Sequence, residues 1–244
     1  HNVTIAAGED TLQGVAAAIN EAEIGVAASV INDGSGATPY RLVRSADEAR
    51  DFYRRMGGEF VLKPVTGAGS QLVEVDIDSE EKAARAFLKI QQGQKEFAKR
   101  PDAGFFTLDE DRGIMMERKL KGPEVDVELV ISGGKLIFSL VSDNPPMDGA
   151  VEKGDTYPTQ MSAAMKAEFV RRAQRAVTLL GLRDGNYHVE MMWTREGPKI
   201  LEVNARMGGA YGWQSMMDLF GVDLVRAGVA AALGREIAPM AQDA

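Results

Sequence analysis

The chain has no cysteine, no apolar run long enough to span a bilayer and no surplus of positive charge. Without cysteine, disulfides and thiolate metal sites are both excluded, which fits a reducing compartment. Without a spanning run or a signal-peptide pattern, no membrane partner is expected and a cytoplasmic setting is. The formal net charge is -8. No basic excess is present to neutralise phosphates in bulk, so nucleic acid is not an expected partner. Internal repeats, low-complexity tracts and clear linkers are also missing, and residues 1–39 hold no lysine. What is present is 244 residues, 45% hydrophobic and 26% charged. That is the profile of a soluble globular protein with room for one large α/β domain or two smaller lobes.

Periodicity and punctuation give a mixed order of elements. Residues 11–23 fit a helix and 32–36 a loop. Ser45 with Glu48 forms a capping-box pattern for a helix to about Met56. Phe60–Lys63 reads as a strand stopped by Pro64, and Leu72–Asp76 as its returning partner. Asp78 and Glu81 mark a helix to about Gln92, with 93–113 as an exposed connection. Ile114–Arg118, Glu124–Ser132 and Lys135–Ser142 read as strands, the last two joined at Gly133-Gly134. Asp143–Gln160, with its prolines and glycines, reads as a long loop. Ser162 opens a helix whose Phe169, Ala173, Val177 and Leu180 share a face, and Gly181 closes it. Asn186–Trp193 and Lys199–Val203 form a hairpin, and helix follows from about Trp213. Hairpins stand where a doubly wound fold would have crossovers, so the expected class is α+β.

The last hairpin carries the most chemistry. Glu190 and Glu202 lie six residues either side of Glu196. A symmetric register would oppose them with Cβ atoms roughly 4.5–5.5 Å apart. His188 and Asn204 would form the next pair on that face, which Ile200 shares, while Leu201 and Val203 line the other. Two facing carboxylates repel unless a cation lies between them. Oxygen donors from two glutamates and an asparagine suit Mg²⁺, which completes its shell with waters and phosphate oxygens. A single exposed glutamate is more often a solvated surface group, but here Arg206 and Gly208-Gly209 follow at once and admit an anionic ligand.

Two further segments suit a nucleotide. Lys63 ends an apolar strand before Gly67-Ala68-Gly69-Ser70, a loop whose N–H groups and hydroxyl can wrap phosphate. An ordinary hairpin loop beside a snorkelling lysine has the same spacing. It has neither a P-loop ending nor the third glycine of a dinucleotide fingerprint. Glu117-Arg118-Lys119-Leu120 leads into Gly122-Pro123-Glu124. An exposed strand there can offer backbone groups to an adenine edge, and an acid can accept from ribose hydroxyls. On spacing alone this is also a charged β-turn.

In this order, VLKPVTGAGS at 61–70, MERKLKGPEVDVELV at 116–130, HVEMMW at 188–193 and ILEVNARMGG at 200–209 resemble the ATP-grasp superfamily of ligases. The resemblance covers roughly 40–234. Through SLVSDNPP at 139–146, YPT at 157–159 and FGVDLVRAGVAAALG at 220–234 it is greatest to carnosine synthase and related amino-acid ligases. It implies two α/β lobes with nucleotide held between antiparallel sheets: a small lobe at 40–118, a large lobe at 119–244, and a poorly matched segment at 1–39. It implies ATP with Mg²⁺ (or Mn²⁺) as cofactors and small amino-acid or carboxylate substrates. Lys63, Gly67, Ala68, Gly69, Ser70 and Gln71 would hold phosphates; Glu117, Arg118, Lys119, Leu120 and Glu124 the nucleoside; Glu190, Glu202 and Asn204 the metal. Arg206, Lys63 and His188 would serve the reaction, and Asp143, Asn144, Gly208, Gly209 and Tyr211 the substrate. Relatives in the superfamily carry an upstream domain and usually another lysine that 1–39 do not supply, so attachment to an upstream domain is one expectation; the helices after Trp213 fit either a homodimer surface or, more often, simple core.

Overall fold

The computed structural model describes residues 40–67, 69–100, 113–145, 149, 154–209, 212–235 and 237. The expected helix at 11–23, the loop at 32–36, Ala68 and Tyr211 lie outside the described residues. The chain divides into two compact units, one formed by the described residues up to Leu120 together with Gly149, the other by the remainder from Lys121.

The first unit contains β1 (Tyr40–Val43), α1 (Ala46–Met56), β2 (Phe60–Pro64), β3 (Glu74–Ile77), α2 (Glu80–Phe97) and β4 (Ile114–Arg118). Its sheet is antiparallel in the order β1-β4-β2-β3. Strand alternation sends Phe60, Leu62, Ile114 and Met116 to one face, where they meet Phe52, Phe87 and Ile90 of the two helices. Ser45 caps α1 by accepting from Glu48 N at 3.1 Å. The Glu48 carboxylate reaches back to Arg44 N at 2.8 Å, one residue outside the expected box.

Three expectations in this unit are corrected. Pro64 does not stop β2 but is its last residue, paired with Ile114. β3 starts at Glu74, and Leu72, with a left-handed φ of 60°, lies in the turn before it. Ser79, not Asp78, caps α2, and the helix runs through Gly93 to Phe97. Gly93 is there for space: a Cβ would stand 2.4 Å from Leu72 Cδ2. The glycine marks a close approach inside a helix, where local reading takes it as a helix end.

The second unit contains β5 (Glu124–Ser132), β6 (Lys135–Asn144), α3 (Ala163–Leu179), β7 (Gly185–Thr194), β8 (Gly197–Asn204), α4 (Gly212–Phe220) and α5 (Leu224–Ala232). The sheet is antiparallel in the order β6-β5-β7-β8. One face, with Val125, Val127, Leu129, Val189 and Met191, packs on Phe169, Ala173 and Val177 of α3. Each such side chain taken from water contributes about 1.5–3 kcal/mol. On the other face Val130, Phe138 and Leu140 are covered by Met216, Leu224 and Ala227 of α4 and α5. The expected C-terminal helix is therefore two helices, parted at 221–223.

β6 extends two residues further than expected, so Asp143 and Asn144 belong to it and not to a loop. Among the described residues no helix is long and apolar enough to cross a membrane.

Candidate active site

Along β5 the second face changes character. Val130 lies under the helices, and then Glu128, Asp126 and Glu124 follow at every second position. The register carries this acidic stripe across the sheet. Ser142, Asp126, Glu190 and Glu202 form one row, and Leu140, Glu128, His188 and Asn204 the next. Glu190 is thus opposite Glu202 and His188 opposite Asn204. The cause is not a loop centred on Glu196. The turn is Arg195-Glu196, flanked by the Thr194–Gly197 pair, and the register shifts between Glu190 and Met191. Met191 pairs with Ile200 and Glu190 with Glu202, so Leu201 is the extra residue of a β-bulge. Bulges of this kind re-aim side chains next to sites. Without that shift Glu190 would face Leu201. The bulge also corrects the assignment of Ile200, which packs with Met191 on the α3 face and not beside the glutamates.

His188 is the hub of this face. Its Nδ1 lies 2.5 Å from Glu128 Oε1, and its Nε2 is 3.6 Å from Glu190 Oε1 and 3.8 Å from Asp126 Oδ1. Burial opposes the charged ring, but the carboxylates of Glu128, Glu190 and Asp126 together outweigh it and raise the His188 pKa to about 10. At neutral pH the ring is an imidazolium, which suits a fixed positive charge better than a proton acceptor. Asn204 Nδ2 reaches Glu190 Oε1 at 3.3 Å. Glu202 is exposed and Glu190 half-buried.

The donor set fits a hard cation. Two carboxylates face each other at one register position with an amide in the adjacent row, and oxygen ligands of this kind suit Mg²⁺. Among the described residues no group of three or more His, Cys, Asp or Glu side chains is arranged to hold a metal. A cation at Glu190, Glu202 and Asn204 would therefore complete its shell with waters or ligand oxygens.

The first unit presents its own polar face, opposite the helices. Lys63 and Glu117 share it, because Val61 pairs with Glu117 and Lys63 with Met115. Their ion pair is 2.6 Å long. Arg118 alternates to the helix side, where its guanidinium stacks 5.0 Å from the Phe60 ring centre and donates to Met56 O. Only its backbone is left to serve a ligand on the Glu117 face. Lys119 pairs with Asp76, and its N–H donates to Glu59 O at 2.9 Å. Leu120 is half-buried. In the loop, Gly67, Gly69 and Ser70 have positive φ, the last a strained choice for a residue with a Cβ. Gln71 Oε1 is buried without a hydrogen-bond partner.

Of the expected substrate contacts, Asn144 and Gly208 lie at the acidic face. Asn144, with its amide oriented to donate, reaches Asp126 Oδ2 at 3.2 Å and Asp155 Oδ1 at 3.1 Å. Asp143 does not lie there. It shares the α3 side with Val125, and its carboxylate accepts from Thr159 Oγ1 and from Gln160 N at 2.7 Å, stapling the segment before α3. Gly209 and Arg206 are exposed just beyond β8. Asp126 and Glu128, only 4% and 6% exposed, were not anticipated. Their alternation with valines reads as an ordinary half-solvated strand. The signal that marks them is a row of three acids inside a strand otherwise dominated by valine and leucine.

The chain is similar to known proteins in sequence and in fold. The ATP-grasp domain family matches residues 56–214, and the chain belongs to that family. Human carnosine synthase 1 is 34% identical over 176 residues, 71% of this chain and 21% of the human protein. The mouse protein of the same name is 34% identical over 197 residues, 79% of this chain and 23% of its own length. The chain thus spans about a fifth of these curated relatives. L-amino acid ligase from Bacillus licheniformis shares the fold with a TM-score of 0.64 at 20% identity, covering 82% of this chain and 46% of that one. The biotin carboxylase domain of Hydrogenobacter thermophilus 2-oxoglutarate carboxylase, solved with MgADP, has a TM-score of 0.65 at 16% identity, covering 84% and 43%.

Proposed function

We propose that the chain is the core of an ATP-dependent carboxylate–amine ligase that forms a dipeptide-type amide. The observation that carries this reading is the register opposing Glu190 to Glu202 with Asn204 in the next row. The likeness to carnosine synthase 1 and L-amino acid ligase supports the substrate class. A carboxylate oxygen of one substrate takes the γ-phosphoryl group of ATP, leaving ADP and an acyl phosphate. The amine nitrogen of the second attacks the acyl carbon, phosphate departs, and the nitrogen releases a proton.

Each unit carries part of what this needs. Lys63, with Gly67–Gln71, would bind phosphate oxygens in the first unit. Glu117 to Leu120 would edge the adenine, and Glu124 would accept from ribose hydroxyls. In the second, Glu190, Glu202 and Asn204 would hold Mg²⁺, which when bound neutralises charge on the phosphates. Arg206 would add charge-assisted hydrogen bonds to the phosphoryl oxygens. His188, as an imidazolium, would offset negative charge at the reacting carboxylate. Asn144, Gly208, Gly209 and Tyr211 would contact the substrate.

The small share of the curated relatives spanned by the chain favours a second reading, in which it binds ATP as a module of a larger ligase and is not competent alone. Incubation with ATP, Mg²⁺ and pairs of amino acids separates the two. Phosphate release that depends on an amino-acid pair supports the ligase. Nucleotide binding without release supports the module, and neither binding nor release overturns both.

A further inference from the structure

Three features outside the proposed ligand contacts stand out. Val225 and Val229 of α5, with Leu233 at its C-terminal cap, form an exposed stripe, but nothing in the structure shows what covers it. Segment 156–160 is pinned to Asp143, and its hydrogen bonds are internal. Glu128 is different, because it is buried and touches two parts of the site at once.

We propose that Glu128 is a positioning residue that sets the place of His188 and of the Arg206-bearing segment through one carboxylate; this rests on the ligase reading above. Its Oε1 lies 2.5 Å from His188 Nδ1, and its two oxygens accept from Gly208 N at 3.1 and 3.2 Å. Only Ala205, Arg206 and Met207 separate Gly208 from Asn204, the last residue of β8. The Arg206 backbone is therefore tied at both ends, by strand pairing at Asn204 and by Glu128 at Gly208. Arg206 also donates to Met207 O at 3.0 Å. The contact leaves no room for a side chain at 208. A Cβ there would stand 2.4 Å from Glu128 Oε1 and 3.1 Å from His188 Nδ1.

Stability alone does not call for an acid at this position. Leu140 is its register partner and Val130 lies two residues along the same face, both buried. An apolar side chain at 128 would continue that patch, and such replacements for buried ion pairs are often neutral or stabilising. A carboxylate supplies what an apolar group cannot: several acceptor sites that orient an imidazole ring and a backbone N–H together. Partners of this kind around a site typically change activity 10–100-fold when removed, as measured for the outer ligand shell of metal sites.

Glu128→Gln keeps the size and removes the charge, and Gly208→Ala attacks the same contact from the other side. Both are compared with the wild-type chain by thermal midpoint, by kcat and KM for ATP in the phosphate-release assay, and by backbone amide NMR. For each variant the expected result is a kcat lowered about 10–100-fold, with KM for ATP within about 3-fold, since ground-state binding is untouched. The Gly208 and Arg206 amide resonances should shift in Glu128→Gln, while that of Ser139, in β6 beyond these contacts, stays in place. In the double variant the losses should be less than multiplicative, because both changes break one contact. Unmoved Gly208 and Arg206 resonances would overturn the proposal, as would shifted resonances with unchanged kcat, or multiplicative losses. Should the wild-type chain release no phosphate, the ligase reading fails, and the resonances alone decide whether Glu128 positions this segment.

Discussion

Replacing Glu202 by glutamine removes one of two opposed carboxylates and nothing from the core, because Glu202 is exposed. Glu202→Gln should therefore separate a ligand site from a structural pair by the sign of its effect. Two unit charges about 5 Å apart repel by about 1 kcal/mol in water and about 3 kcal/mol at an effective dielectric of 20. With Glu202 exposed and Glu190 half-buried, about 1 kcal/mol is the appropriate scale, so the ligand-free variant should stay within about 1 kcal/mol of wild type. Binding acts the other way. With Mg-ATP at 100 times its Kd, wild type gains about 2.7 kcal/mol, or a rise of roughly 5–11 °C in Tm for a chain of this size. If the lost ligand weakens binding 100-fold, the gain at the same concentration falls to about 0.4 kcal/mol and the rise to about 1 °C. Thermal unfolding with and without Mg-ATP reads both effects. A ligand-free midpoint several degrees lower, with the Mg-ATP shift intact, would refute the reasoning and make Glu202 a structural residue.

Other substitutions test the packing. Gly93→Ala gains about 1 kcal/mol of helix propensity, but the Cβ meets Leu72 and overpacking costs about 1–3 kcal/mol. Denaturant unfolding should show net destabilisation that vanishes when Gly93→Ala is made in a Leu72→Ala background; equal effects in both backgrounds would contradict the contact. Phe169→Ala removes a fully buried ring 5.4 Å from that of Trp193 and should cost about 3–5 kcal/mol by urea unfolding; under 1 kcal/mol would mean that α3 is not held by this face. Glu168, hydrogen-bonded to Arg171 and Arg172, has its pKa lowered to about 2 from 4.5. A group with a depressed folded-state pKa stabilises above its unfolded value, so this contribution is intact above about pH 4.5 and fades as pH falls towards 2. Stability curves of wild type and Glu168→Gln should differ by less than about 1 kcal/mol at neutral pH, as the site is partly exposed, and converge at pH 2. A gap that widens on acidification would contradict the sign.

What the sequence shows well is what local chemistry decides. β4 and β5 begin and end where their side-chain pattern places them, and Gly133-Gly134, with φ of 57° and 76°, turns the chain between β5 and β6 as expected. The opposition of Glu190 and Glu202 was also legible, though for the wrong reason, since a bulge at Leu201 produces it. Signals that depend on distant partners were not legible. Gly93 looks like a helix end until Leu72, 21 positions earlier, is seen to occupy the space of its side chain. Asp126 and Glu128 look solvated until α4 and α5 are seen to close over the adjoining part of the same face. Asp143 looks like part of a binding loop until Thr159 and Gln160 are seen to take up its oxygens. In each case the deciding contact lies outside the window in which periodicity operates.

The most direct test of the account is a crystal structure with ADP and Mn²⁺, using anomalous scattering to locate the metal. The account predicts a manganese peak within about 2.0–2.3 Å of oxygens from both Glu190 and Glu202, with Asn204 and a nucleotide phosphate completing the contacts. Bound nucleotide with its metal elsewhere, or a peak touching neither glutamate, would contradict it.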